Sequence, residues 1–276
     1  MEAIDTRGSL HKMQVELSAP VNYQLPLGNQ LVPLNPYLGR TIRLSFSGDI
    51  GCVHCGRATK KSFNQGYCYP CMIKLAQCDR CIVSPETCHY HQGTCREPEW
   101  GERNCMRTHY VYLANSSGLK VGITRAENVP SRWIDQGAVQ ALPILAVQSR
   151  YQSGLVEVLF KQHIADKTNW RTMLKGQVDE LNLIEARNDL LLRLASDISR
   201  LQNRFGLQAI QACDVEQQTE IEYPVLEYPV KVASLNFDKT ALIEGTLLGI
   251  KGQYLILDIG VLNIRKFSGY KISFAA

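Results

Sequence analysis

Nine of the ten cysteines lie between Cys52 and Cys105, and the tenth, Cys213, stands alone. Four follow the pattern Cys52-x2-Cys55-x12-Cys68-x2-Cys71. Two residues between cysteines let both thiolates of a tight knuckle face one ion, and the longer gap lets a second knuckle complete a tetrahedron. Such a set is structural-zinc chemistry; the competing reading is a group of buried or oxidised structural thiols. A second set runs Cys78-x2-Cys81-x6-Cys88-His89-x-His91-x3-Cys95-x9-Cys105. It offers one knuckle and more candidates than a four-coordinate ion needs. The expected ligands are Cys78, Cys81, Cys88 and Cys95, with Cys105 and His91 as substitutes. Paired spacing suits zinc better than an iron–sulfur cluster. One or two zinc ions are therefore expected, and the region should collapse without them.

The other residues able to do chemistry are spread over 109–176. His109–Ala114 and Leu119–Thr124 read as two short apolar strands separated by the turn cluster Asn115–Gly118. Pro130 stands near the start of a helix that contains Arg132 and Trp133 and closes at Gly137. Leu142–Gln148 is another apolar strand. Tyr151–Ile164 is helical, with a buried stripe at Leu155, Val158, Leu159 and Ile164. The order is β-β-α-β-α. Within residues 105–176 there are nine Lys and Arg against four Asp and Glu, and within 177–276 ten against thirteen. A basic middle and an acidic end thus hide behind a net charge of +4. Such a middle suits phosphate binding, although charge alone is equally that of a solvated surface.

That order, with these residues, resembles the GIY-YIG endonuclease superfamily. Tyr110-Val111-Tyr112 resembles the first motif and Lys120-Val121-Gly122 the second. The helix arginine of the family maps onto Arg132, its metal-binding glutamate onto Glu157 and a late asparagine onto Asn169. The resemblance implies a divalent-metal-dependent phosphodiesterase acting on DNA or RNA. Glu157 would hold Mg²⁺ or Mn²⁺, which keeps most of its waters when bound. Tyr112 would position or deprotonate a water, Arg132 would fork onto phosphate oxygens, and Lys120 and Arg125 would add phosphate contacts. Gly122 would give close backbone approach. Lys120 stands where the better-known nucleases have tyrosine. A solvated lysine is protonated near neutral pH, so it would bind phosphate before acting as a base. That departure favours a competing function, a non-catalytic nucleic-acid-binding or protein-interaction module on the same scaffold. The whole chain, cysteines included, also resembles a bacterial family catalogued as a domain of unknown function.

The elements that must position these residues make an α+β protein. Expected in turn are an N-terminal β segment (1–50), a zinc-binding cysteine region (51–108), the GIY-YIG-like unit (109–176), one amphipathic helix (177–206) and a C-terminal β segment (207–276). Residues 26–39 read as loop. Val230–Phe237, Ala241–Leu248, Gln253–Ile259 and Val261–Phe267 read as strands of a small antiparallel sheet or barrel formed by the terminal segments. Hydrophobic residues at 45% and charged residues at 20% are ordinary for a globular protein and exclude disorder. No apolar run approaches the ~20 residues of a spanning helix, and Met1–Leu17 has no signal-peptide core. A cytoplasmic protein with reduced thiols, away from membranes, is expected. His109 and His163 belong to no triad, and Trp170 with Arg171 caps a core before it stacks on a base. There is no phosphate loop and no dinucleotide fingerprint.

Overall fold

The computed structural model describes residues 5–276. Its first strands are β1 (Asp5–Ser9), β2 (Gln14–Glu16), β3 (Asn22–Leu27), β4 (Gln30–Pro33) and β5 (Thr41–Ile50). Alternation along β3 and β5 buries Tyr23, Leu25, Ile42 and Leu44 while Asn22, Gln24, Thr41 and Arg43 stay in solvent. The stretch 26–39, expected as loop, instead carries β4. Gly28, at φ +59°, closes a tight hairpin in which Leu27 pairs with Gln30. The turn-rich composition there makes one turn between strands rather than a long loop.

The cysteine region is almost free of regular structure. Between α1 (Tyr69–Lys74) and α2 (Pro98–Asn104) it runs through short 3-10 turns only. Next come β6 (His109–Asn115), β7 (Leu119–Arg125), α3 (Ser131–Asp135), β8 (Gln140–Val147), α4 (Arg150–Phe160) and α5 (Trp170–Leu174). The order β-β-α-β-α is thus present, with β6 central and antiparallel to both β7 and β8. The single helix expected over 177–206 is two, α6 (Leu183–Arg193) and α7 (Ala195–Phe205). Leu194, at φ −97° and ψ 6°, breaks them apart while remaining fully packed. The bend lets Leu183, Leu190 and Ile198 all reach the same core, which one straight helix laid on a twisted sheet would not. Two short strands, β9 (Ile210–Ala212) and β10 (Thr219–Glu220), then line the free edge of β8, so the start of the segment expected as C-terminal β (207–276) pairs with the sheet of the unit expected over 109–176.

The last strands are β11 (Leu242–Lys251), β12 (Tyr254–Leu257), β13 (Gly260–Asn263) and β14 (Tyr270–Ala275). They join the N-terminal strands in one six-stranded antiparallel sheet ordered β1-β14-β5-β11-β12-β13. Residues 230–237, expected as strand, make only an isolated bridge from Ser234 to Val261, and 265–267 form a 3-10 turn. The β6–β8 sheet is covered on both faces. Val111 and Leu113 point to the helices α4, α6 and α7, whereas Tyr112 and Ala114 point to the core shared with the terminal strands. Period-two alternation thereby aims Tyr112 at the seam between the two units. Among the described residues no helix is long and apolar enough to cross a membrane.

Candidate active-site cleft and metal centre

The seam opens into a cleft with two lobes of about 1030 and 690 Å³. Gln65, Gln136, Asp166 and Arg265 line both lobes and make them continuous. Arg132, Gly122 and Glu157 line the smaller lobe, and Lys120 lines the larger. Tyr112 lies just behind the wall, fully buried. Its hydroxyl donates to Gln136 Oε1 at 3.1 Å, and Lys120 Nζ donates to the same oxygen at 2.5 Å. Cross-strand pairing sets Tyr112 opposite Gly122, where a Cβ would fall 2.6 Å from the tyrosine hydroxyl. The glycine is required by that ring. Tyr112 and Lys120 therefore meet at Gln136, a residue that no motif singled out, and Arg132 and Glu157 line the same cleft.

Lys120 is only 3% exposed. Burial first, and then the like charge of Arg132, push its pKa down to about 8; Asp166 and Glu157 oppose the shift. Burial likewise lowers Arg265, again helped by Arg132. Burial raises the Tyr112 phenol, and Arg132 partly opposes it through charge and a hydrogen bond. Lys120, Arg132, Arg150 and Arg265 take part in no ion pair among the described residues. Arg125 also lines the cleft but is held by Glu127 at 3.2 Å and by Asn104 at 2.5 Å.

Glu157 sits on α4, 9% exposed. Burial raises its pKa; Lys161, at 3.3 Å, opposes the rise, and Asp166 and Glu86 add to it. Lys161 reaches Asp166 as well, at 3.2 Å. Asp166 is brought there by a short parallel contact in which the Val121 amide donates to the Ala165 carbonyl at 2.9 Å. Sequence reasoning missed Asp166, because nothing local ties it to Glu157. Asn169 is a helix cap, its side chain accepting from the amides of Arg171 and Thr172. Trp170 packs flat on Tyr254 with ring centroids 5.8 Å apart, and Arg171 lies 4.4 Å above it. His109 is buried with Nδ1 against the Arg107 carbonyl, and burial pushes its pKa down to about 4, so it is a neutral structural ring. Burial pushes the Cys213 thiol up to about 11, which keeps it protonated.

Beside the cleft, the sulfurs of Cys52, Cys55, Cys68 and Cys71 all lie within 4.8 Å of one another, close enough to hold one zinc ion. Burial works to raise Cys52, yet backbone donors at Cys55, Cys68 and His54 outweigh it and hold the thiol at about 6. Such donors aimed at sulfur stabilise a thiolate ready for metal. Of the second predicted set, Cys78 packs against Cys52, Cys68 and Cys71 with Leu75 and Tyr67. Cys81, Cys88 and Cys95 share a separate small cavity with Cys105. The knuckle read from Cys78-x2-Cys81 is therefore split between two places. His91 faces Tyr151, ring to ring at 5.3 Å, and lies off that cavity.

A family model described as "Protein of unknown function (DUF2797)" matches residues 39–272, a span that takes in the cysteine region and both walls of the cleft. No curated protein and no solved structure matches the chain.

Proposed function

We propose that this chain, which belongs to the DUF2797 family, is a zinc-stabilised protein that takes nucleic acid into the cleft and cleaves a phosphodiester bond there, in the manner of the GIY-YIG enzymes that residues 109–176 resemble. One observation carries the reading. Lys120, Arg132 and Arg265 line one partly buried cleft, and Arg132 repels both of the others. None of the three makes an ion pair among the described residues, with Asp166 and Glu157 acting on Lys120 and Asp135 on Arg265 only at longer range. A desolvated cluster of unpaired cations stores positive potential that an anionic backbone relieves. Lys60, Lys61, Lys167 and Lys266 extend the basic wall along the larger lobe.

In this reading Arg132 binds the phosphoryl oxygens, and Lys120 supplies a second cation or takes a proton. Tyr112 orients the attacking water through its hydroxyl. The departure from tyrosine at Lys120 loses much of its weight, since burial brings this lysine close to neutral pH. Glu157 and Asp166, with a buried and unpartnered Oε2 of Glu86 nearby, form an acidic pocket against one lysine. That donor chemistry fits a hydrated Mg²⁺ or Mn²⁺. Such an ion would stabilise charge on the leaving oxygen. The test is incubation of the full-length protein with single- and double-stranded DNA and RNA in Mg²⁺ or Mn²⁺. Cleavage by wild type is expected, with a loss of at least about a hundredfold in Glu157→Gln; equal cleavage by both proteins rejects the catalytic role.

A second reading, binding without cleavage, has its own support. Lys161 occupies Glu157, and the Tyr112 hydroxyl is sealed behind the wall. It expects salt-sensitive binding and no turnover, weakened in Lys120→Ala and Arg132→Ala but unchanged in Glu157→Ala.

A further inference from the structure

Outside the first zinc set, three donors of different chemistry meet. Single atoms of Asp79, Cys81 and His89 all lie within 4.8 Å of one another, and all three residues are half-buried. Asp79 caps the turn Arg80–Ile82 with its side chain, so carboxylate and thiol share one turn. Its Oδ1 accepts from the Cys81 amide at 3.4 Å, and its Oδ2 stands 3.6 Å from His89 Nε2. His89 arrives from the next loop with its ring already oriented. Gly93, at φ +73°, turns the chain after Tyr90–Gln92 and brings Thr94 to the ring. The Thr94 hydroxyl donates to the His89 carbonyl at 3.3 Å, which spends its one hydrogen. Its oxygen therefore accepts from His89 Nδ1, at 2.8 Å. The ring proton sits on Nδ1, and a lone pair on Nε2 is left near Asp79 Oδ2. Two acceptors with no hydrogen between them call for a cation.

We propose that Asp79, Cys81 and His89 bind a second zinc ion through Oδ2, Sγ and Nε2, with water in the fourth position. Zinc takes these donor types at about 2.0–2.3 Å, which sets neighbouring oxygen and nitrogen ligands about 3.3–3.6 Å apart. The 3.6 Å between Asp79 and His89 is the separation of two ligands on one ion. The engaged Nδ1 supports ligation, because a metal-bound histidine ordinarily donates its other nitrogen to an oxygen.

Arg96 orients the carboxylate in the same way. Its Nε lies 2.6 Å from Asp79 Oδ2, and its Nη1 donates to the Met72 and Leu75 carbonyls. A carboxylate oxygen has lone pairs for both an arginine and a metal. One carboxylate and one thiolate balance Zn²⁺, so the centre is neutral. Residues 79–94 contribute to none of the hydrophobic clusters among the described residues, and a metal cross-link holds such a stretch folded. In a plain ion pair of His89 with Asp79, by contrast, Nε2 would carry a proton and no second zinc would bind.

The test is metal content of the full-length protein by plasma mass spectrometry, independent of any activity. Two zinc ions per chain are expected for wild type, Cys95→Ser and Cys105→Ser, and one for His89→Ala and Cys81→Ser. A single zinc in wild type overturns the proposal, and its loss in Cys52→Ser would show the first set standing alone. Retention of both ions by His89→Ala also overturns it, as does loss of one in Cys105→Ser. Cobalt reconstitution of wild type guards against variants that fail to fold. The second equivalent should give about a quarter of the thiolate-to-cobalt charge transfer of the first, one sulfur against four. Equal intensity for the two equivalents means a second four-thiolate site and overturns this one.

Discussion

Gln136 gathers the cleft chemistry on one oxygen, accepting from both the Tyr112 hydroxyl and the Lys120 ammonium. The amide oxygen has a lone pair for each donor, but the Lys120 ammonium keeps further N–H donors that incoming phosphate oxygens would satisfy. Two predictions belong at this scale. With its pKa at about 8, Lys120 loses its charge as pH rises through that value, so binding of nucleic acid should weaken between pH 7 and 9. Bound phosphate holds the proton, which moves the midpoint to 8 or above. Lys120→Arg stays charged and should flatten the profile; binding titrations at fixed salt across that range check it. Gly122→Ala should destabilise the fold by about 1–3 kcal/mol, because its methyl group meets the Tyr112 hydroxyl at 2.6 Å. Denaturant unfolding measures this, and an unchanged midpoint would mean that the ring is free to move.

At the scale of elements, the cysteine region serves as the seat of α4. Gly154 brings the helix backbone against Pro85 and Glu86, where a Cβ would come within 2.4 Å of the Glu86 amide nitrogen. The Arg150 amide, at the helix start, donates to the Cys105 carbonyl at 2.8 Å. Order in the cysteine region thus reaches Glu157 by way of the helix that carries it. Zinc removal should therefore abolish cleft function as well as local order, since structural zinc supplies about 10–16 kcal/mol of apparent folding energy. Titration with a chelator, followed by circular dichroism and nucleic-acid binding together, should show the two lost in step. Gly154→Ala should act like partial metal loss, lifting α4 from its seat. The order β-β-α-β-α was legible because each piece carries a local period and its own turn. The break at Leu194 was not, since the apolar stripe of α6 and α7 runs unbroken through it and only the sheet beneath demands the bend.

At the scale of the whole molecule, the cleft walls come from three parts of the chain: Lys60 and Lys61 near the first zinc set, Lys120 and Arg132 in the α/β unit, and Arg265 and Lys266 between the last strands. Arg265→Ala and Lys266→Ala should then weaken binding as Lys120→Ala does, each lowering the slope of log K against log salt by about 1. Binding isotherms at several salt concentrations check this, and an unchanged slope would place the nucleic acid elsewhere. The acidic balance of residues 177–276 gave no hint that Arg265 and Lys266 line the cleft, because net charge over a segment says nothing about which of its cations face a seam. What the sequence determined by itself is what depends on near neighbours: the two knuckles of the first cysteine set, the strand alternation that aims Tyr112, and the glycine opposite it. Tertiary structure alone decided the separation of Cys78 from Cys81, the arrival of Asp166 beside Glu157, the union of both chain ends in one sheet, and the lowered pKa of Lys120. The physical reason is common to all four. Thiol convergence, carboxylate pairing, strand partners and desolvation are set by distances through space, and residues remote along the chain supply them.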